Sequence, residues 1–446
     1  MKKLILSAFL LTSLLAPAQS IFDEIQVSET FRFFFPIEQI FEHNGKTYGY
    51  RKEGGTNSSG EYFLFDKTMN VLKKEKHVLS KKTYTNDNYC IKLKGKVYTI
   101  FNGNIGSIKH TAFAERFDLD KFEPTVERTE LFKSTGFKSF EKSKNEDFVV
   151  FLTETEVRVF DDKLKLLWFK RFPKFSTKTF ITNVKVSNSG EVFLLLSYGE
   201  DYSYKMSILR ITKFDSDFSE ELNSSEAPKL TSNNMSFNKS GNLIVSIYDA
   251  QNNKGKDPGL LHVILDVNSL ELTKSFIDLP EHIMTYKQVV KRKSVDATDY
   301  LSSYKMHSTI LVSKFDPNGK FEWSDHILRN QLGYGTTFKF FGAAPLIKND
   351  QLHILYNDLK ENSGQSHGDA AEIAYYYKMK SEFIVFESVY TPSGEVEDYN
   401  PDLSKYGKTV WVDPNIVENG IYGNLMGDKY RGFSSIIVGN KRRMIR

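Results

Sequence analysis

The chain has 446 residues, of which 40% are hydrophobic, 14% aromatic and 26% charged, and its mean hydropathy is −0.40. That balance excludes a disordered chain and a helical membrane protein with several spans. The formal net charge is +4, and two of those charges are Lys2 and Lys3, so the balance argues against a nucleic acid as main partner.

Residues 1–20, MKKLILSAFLLTSLLAPAQS, follow the pattern of a secretory signal. Lys2 and Lys3 precede an apolar stretch, Leu4 to Leu15, that is too short to span a bilayer. Ala16-Pro17-Ala18 supplies the small-residue cleavage pattern, with Ala18-Gln19-Ser20 as a rival; a membrane anchor is the alternative reading. No cysteine follows the cleavage region, so a lipid anchor is not expected. The expected destination is the periplasm, the cell envelope or the outside. After signal removal no transmembrane span is expected, because no later stretch reaches about 18 uninterrupted apolar residues. Residues 21–446 contain no Pro/Ser linker or low-complexity tract and read as one domain. Cys90 is the only cysteine, so packing rather than an intrachain disulfide must hold the fold. Within NYCIKLKG it reads as a buried strand residue, since nothing nearby would depress its pKa.

Two turn series then run in step along the chain. The first is Gly45 (FEHNGKTYGY), Gly95 (KLKGKVYTIF), Asp147 (KNEDFVVFL), Gly190 (VSNSGEVFLLLSY) and Gly241 (FNKSGNLIVSIYD), at steps of 50, 52, 43 and 51 residues. The second ends a strand on Phe-Asp or its equivalent, at Asp66, Asp118, Asp161, Asp215, Asp266 and Asp316, at steps of 52, 43, 54, 51 and 50 residues. Later members fall near Asp350 and at Thr391-Pro392-Ser393-Gly394. One deletion explains both short steps: Asp147 and Asp161 are 14 residues apart, against 21 to 25 in the other complete early units. A fixed period with regular turn chemistry is the signature of a repeat architecture. Seven residues after the aspartate stand Trp168, Leu222 and Trp323, which read as packing residues between units. The aspartates read as turn caps.

Each unit reads as strand, Gly/Asn turn, strand, loop, strand ending Phe-Asp, turn, strand. The expected fold is therefore all-β: a β-propeller of four-stranded antiparallel blades, seven by this count, with six or eight as alternatives. A two-layer sandwich array is the competing architecture. The sixth unit is irregular around Lys293-Ser294, and the C-terminal stretch supplies closing strands expected to pair with the N-terminal run TFRFFF. The best helical candidate is Ser366 to Lys380.

In a meander, successive connections alternate between the two ends of the sheet. Both turn series therefore share one face. The second connections lie on the other, and they vary: Arg51 to Gly60, Gly103 to Ala114, Gly199 to Lys205, Ala250 to Leu260 and Leu359 to Lys380. That loop face is the expected binding face.

No catalytic, cofactor-binding or metal-ligating residue is assigned, and no cofactor is expected. His367, Asp369 and Glu372 offer donors, but their spacing matches no metal signature. Asp215 to Asp217 and Asp161-Asp162 do not continue into a calcium loop and read as turn caps. No G-x-S-x-G elbow, H-E-x-x-H pair or phosphate loop occurs. The aromatics of GYGTTFKFFG (333–342) could stack on a sugar, but read better as a strand. The nine histidines are scattered, and His262 and His353 fall inside strand-like runs.

At residues 158–198, RVFDDKLKLLWFKRFP…TNVKVSNSGEVFLLLSY, the chain resembles exported bacterial β-propeller-like repeat proteins of unknown function. The resemblance extends less clearly through 209–266 and 310–358. It implies a propeller and export, and it carries no catalytic residues. The expected function is a non-enzymatic binding or scaffold propeller that engages a protein or glycan partner through its loop face. The alternatives are a secreted hydrolase or lyase with its site in the propeller funnel, and a structural subunit of a cell-envelope assembly.

Overall fold

The computed structural model describes residues 25–27 and, with gaps, 37–278, 304–334, 343–359, 373–375, 383–399 and 409–439. A short strand, β1 (Ile25–Val27), opens the described chain. Five four-stranded antiparallel meanders follow. The first is β2 (Gln39–His43), β3 (Lys46–Glu53), β4 (Ser59–Phe65) and β5 (Val71–Val78). The second is β6 (Thr83–Leu93), β7 (Lys96–Ile105), β8 (Ile108–Asp118) and β9 (Glu123–Lys133). The third is β10 (Ser139–Lys142), β11 (Phe148–Leu152), β12 (Glu156–Asp161) and β13 (Leu166–Arg171). The fourth is β14 (Thr179–Val186), β15 (Val192–Tyr198), β16 (Lys205–Ile211) and β17 (Phe218–Glu221). The fifth is β18 (Leu230–Phe237), β19 (Leu243–Asp249), β20 (Gly259–Leu265) and β21 (Leu272–Asp278).

Then come β22 (Tyr304–His307), β23 (Ile310–Phe315), β24 (Phe321–Ile327) and β25 (Asn330–Tyr334). β23 and β24 form a hairpin, and β22 pairs with β25. A sixth meander consists of β26 (Ala343–Lys348), β27 (Gln351–Leu359), β29 (Phe383–Tyr390) and β30 (Val396–Tyr399). Between its middle strands β28 (Ile373–Tyr375) leaves to pair in parallel with β25. The last strands, β31 (Thr409–Val417), β32 (Gly420–Gly427) and β33 (Phe433–Gly439), join β1 in a sheet of order β1-β33-β32-β31.

First strands of successive sheets adjoin one another: β10 lies by β14, and β14 by β18. β31 adjoins β26 on one side and β2 on the other, which closes the ring. Radial four-stranded antiparallel sheets in a ring are a β-propeller: six meander blades, and a further four-stranded sheet built from both ends of the described chain.

Burial follows from this arrangement. A middle strand is covered on both faces by neighbouring blades, so its sequence is a continuous apolar run. In VFLLLSY (β15), Phe193 and Leu195 face the fifth blade, where they pack with Leu222, Val245 and Val263. Val192 and Leu194 face the third blade, with Val150, Val159 and the partly buried Trp168. Outer strands are half exposed, as in LLWFKR (β13) and FSEE (β17).

The turn chemistry is the one the sequence predicts. Asp161 Oδ1 accepts from the N–H groups of Lys163 (2.9 Å) and Lys165 (2.8 Å), and Asp316 Oδ1 from Asn318 and Lys320 (both 2.8 Å). Asp66, Asp118 and Asp266 cap their turns in the same way, and Thr391 Oγ1 takes the place of the carboxylate in the sixth meander. Asp215 to Asp217 lie outside the described residues. The strand ahead of the aspartate bulges at the phenylalanine, between Leu64/Phe65, Val159/Phe160 and Lys314/Phe315. The residue at the seventh position packs between blades. Leu222 is fully buried, and Trp323 stacks on Tyr390 with ring centroids 5.7 Å apart. Gly394, at φ 95°, passes beneath that indole; a Cβ there would come 2.9 Å from the ring.

Two expectations are corrected. Gly103 to Ala114 is not a loop: β7 and β8 run on as a long hairpin, with Gly103 paired to Thr111 and Ile105 to Ile108. The helical candidate Ser366 to Lys380 contains strand β28 at Ile373–Tyr375, where pairing with β25 outweighs helix propensity; its other residues lie outside the described ones. The closing N-terminal segment is Ile25–Val27, paired with Ile436 to Val438; TFRFFF itself is outside the described residues.

Leu222→Ala should destabilise the protein by about 2–5 kcal/mol, because it removes a buried side chain between two blades. Asp161→Ala, which removes only a turn cap, should cost about 1 kcal/mol. Urea midpoints of the two variants check the ordering.

Candidate functional site

The two faces of the ring are built differently. On the turn face, several neighbouring blades are tied to one another through their turns. His43 and Asn44 reach Asp120, at 3.4 and 3.3 Å. Lys94 pairs with Asp147, and its N–H donates to Glu146 Oε2 at 2.8 Å. The Asn145 N–H donates to Asn188 Oδ1 at 3.0 Å, and Lys314 Nζ donates to the Pro392 carbonyl at 2.8 Å. Both turn series therefore share one face, as alternation requires.

The opposite face carries the connections between second and third strands: residues 54–58, 106–107, 153–155, 199–204, 250–258 and 360–382. In the third blade this connection is a tight turn in which Thr153 Oγ1 accepts from the N–H groups of Thr155 (3.2 Å) and Glu156 (3.1 Å). The deletion inferred from the short repeat step falls here. The other expected binding loops lie largely outside the described residues, as do His367, Asp369, Glu372 and residues 335–342 of the aromatic stretch.

Within the blades the described histidines form buried contacts that spacing alone did not reveal. The largest links the first and second blades. Tyr62 Oη lies 2.6 Å from Thr99 Oγ1, which lies 3.2 Å from His77 Nδ1. His77 Nε2 donates to Glu115 (2.6 Å), which also accepts from Arg128 Nε (2.7 Å). Burial alone would raise the Glu115 pKa, but hydrogen bonds from His77 and Arg128 outweigh it and hold the carboxylate below its ordinary range. Hydroxyl, imidazole and carboxylate stand in the order a nucleophilic triad uses. Thr99, however, is fully buried and Tyr62 covers it, so a substrate has no access to the hydroxyl. The cluster joins two blades.

A second pair, His353 Nδ1 donating to Glu387 (2.7 Å), lies inside the sixth meander, with both side chains buried. The third histidine, His262, faces Ser246 across β19 and β20, with Nδ1 3.1 Å from Ser246 Oγ. Its ring stacks on Phe315 of the β23–β24 hairpin, centroids 3.7 Å apart and 11° from parallel. Its Nε2 is buried without a hydrogen-bond partner. Desolvation alone lowers its pKa to about 4. His262 and His353, placed in strands by sequence, are thus packed. Glu115, Glu387 and Thr99 were missed, because their partners come from other strands or another blade. Among the described residues no group of three or more His, Cys, Asp or Glu is placed to hold a metal ion, and no helix is long and apolar enough to cross a membrane.

No family model matches the sequence, and no curated protein matches it. Solved structures do match in shape. The β-propeller domain of the Trilobed protease from Pyrococcus furiosus aligns at a TM-score of 0.45 and 7% identity, covering 92% of this chain and 99% of that one. The polysaccharide lyase Uly1 aligns at 0.37 and 10% identity, covering 78% and 89%. A functionally unknown protein from Desulfotomaculum acetoxidans aligns at 0.35 and 14% identity, covering 80% and 95%. At these scores the likenesses say nothing about activity.

The buried imidazole sets a pH dependence. Between pH 6.5 and about 4 the unfolded chain takes up a proton at His262 that the folded chain refuses, so stability falls as pH falls through that window. A shift of this size corresponds to about 3 kcal/mol across it. His262→Gln should remove that part of the slope in urea midpoints measured at pH 7, 5.5 and 4.5. Equal slopes in both proteins would exclude His262 as the group responsible.

Proposed function

We propose that this chain is exported and acts as a non-enzymatic scaffold or binding propeller, engaging a protein or glycan through the connections between second and third strands. The contrast between the two faces carries the reading. On the turn face the capping side chains bond within their own turns, and neighbouring turns bond one another. That face repeats from blade to blade and spends its polar groups internally. On the other face the connections range from the tight turn at 153–155 to the long segment 360–382, set on the same repeated framework. Rigid repeats with unequal loops at one end are the arrangement in which recognition concentrates. The buried histidine and carboxylate pairs support the same view, since they join strands and blades inside the packing.

The test compares the two faces. Replacing 199–204 and 250–258 with short Gly-Ser turns should leave the urea midpoint within about 0.5 kcal/mol of the parent, as for other surface changes. It should abolish retention on immobilised envelope glycans and envelope proteins to which the parent binds. Substituting Lys163 and Asn318 on the turn face should leave retention unchanged. Loss of retention through the turn face instead, or polysaccharide cleavage by the purified parent, would overturn the reading. Export has its own check: the N-terminus of the protein recovered from outside the cytoplasm should be Gln19 or Ile21, read by mass spectrometry. An intact Met1 on that protein would contradict it.

A further inference from the structure

The outer strand of a propeller blade has one free backbone edge, and such edges are ordinarily guarded by charge. Most outer strands here follow that rule with acidic residues: Glu75 in β5, Glu123 and Glu130 in β9, Glu220 and Glu221 in β17, Glu322 and Asp325 in β24, Glu397 and Asp398 in β30. β13, LLWFKR, has none. Leu166, Leu167 and Phe169 are instead 38%, 39% and 52% exposed along it. Lys163 and Lys165 stand just before them, and Lys170 and Arg171 end the strand. Of the carboxylates nearby, Asp161 caps its own turn, Asp162 pairs with Lys96 at 3.5 Å and Glu156 is bound by Arg158 Nε at 2.7 Å, while the Arg171 side chain, 3.9 Å from Glu156, is 81% exposed. No described strand pairs with the far edge of β13.

We propose that the free edge of β13 is a docking strand for an extended acidic-apolar segment of another protein, which adds as a fifth strand to the third blade. Backbone groups of the open edge supply the ladder. Leu166, Leu167 and Phe169 supply apolar contact, and Lys163, Lys165 and Arg171 meet the acidic side chains. The aromatic contact is held ready: the Arg158 guanidinium lies 5.3 Å from the Phe169 ring and 4.9 Å from that of Phe132 in the second blade. A second copy of this strand is a poor occupant, because antiparallel self-pairing sets the basic end of one strand against the lysines that precede the other. This surface is separate from the loop face, so its test does not depend on the function proposed above.

Hydrogen exchange of the intact protein, read over residues 164–172, tests it with a capped peptide of alternating Glu and Val. At a peptide concentration about ten times its Kd, exchange along β13 should slow about tenfold. A Lys-Val peptide should leave exchange unchanged. Phe169→Glu, at an exposed site, should keep the parental urea midpoint and lose the protection. Three outcomes would overturn the proposal: unchanged exchange with the Glu-Val peptide, equal protection of parent and Phe169→Glu, or protection by anionic phospholipid vesicles in place of the peptide.

Discussion

A four-stranded sheet with apolar side chains on both faces has no stable existence alone in water. Everything else in this molecule follows from that constraint. β15 exposes neither face, because Phe193 and Leu195 are covered by the fifth blade and Val192 and Leu194 by the third. Each fully buried Leu, Val or Phe contributes about 1.5–3 kcal/mol of burial, and the gain exists only while the neighbouring blade is in place. Stability is thus a property of the spaces between blades. The buried polar groups obey the same logic. Glu115 is tolerable there because His77 and Arg128 reach it from two blades. His262 is tolerable only as a neutral ring stacked on Phe315.

The ring solves its edge problem at two places with different means. Both ends of the described chain meet in one sheet, where Gln26 pairs with Ile437. Around the rim, most outer strands carry acidic residues, whereas β13 carries none and exposes Leu167 and Phe169. The two ends of the ring divide likewise. One is a lattice of capped turns bonded to each other, and the other is a set of unequal connections on an even framework.

Much of the fold was legible because turns are local chemistry. Asp161 needs only backbone N–H groups two and four residues ahead, so its role is written within five residues of sequence. The position of Leu222 was legible for a similar reason, since a fixed offset from a capped turn fixes which side of the outer strand it occupies. The candidate site was less legible. His77 and Glu115 are 38 residues apart and belong to different blades, and neither lies in a motif. The β7–β8 hairpin was misread as a loop, because how far two strands run on together is set by their cross-strand pairing. Residues 373–375 were misread because Ile373 and Ala374 continue a run that fits a helix, while their pairing with β25 is non-local.

Ring closure is the claim that tests this account most directly. A proline at Gln26 removes a backbone donor from β1 and is poorly accommodated in so short a strand. If the blades hold one another in place, Gln26→Pro should lower the urea midpoint of the whole protein. It should also speed hydrogen exchange in β33, β31 and their neighbours β2 and β26. An unchanged midpoint, with exchange altered only in β1 itself, would contradict a closed ring and describe blades that stand alone.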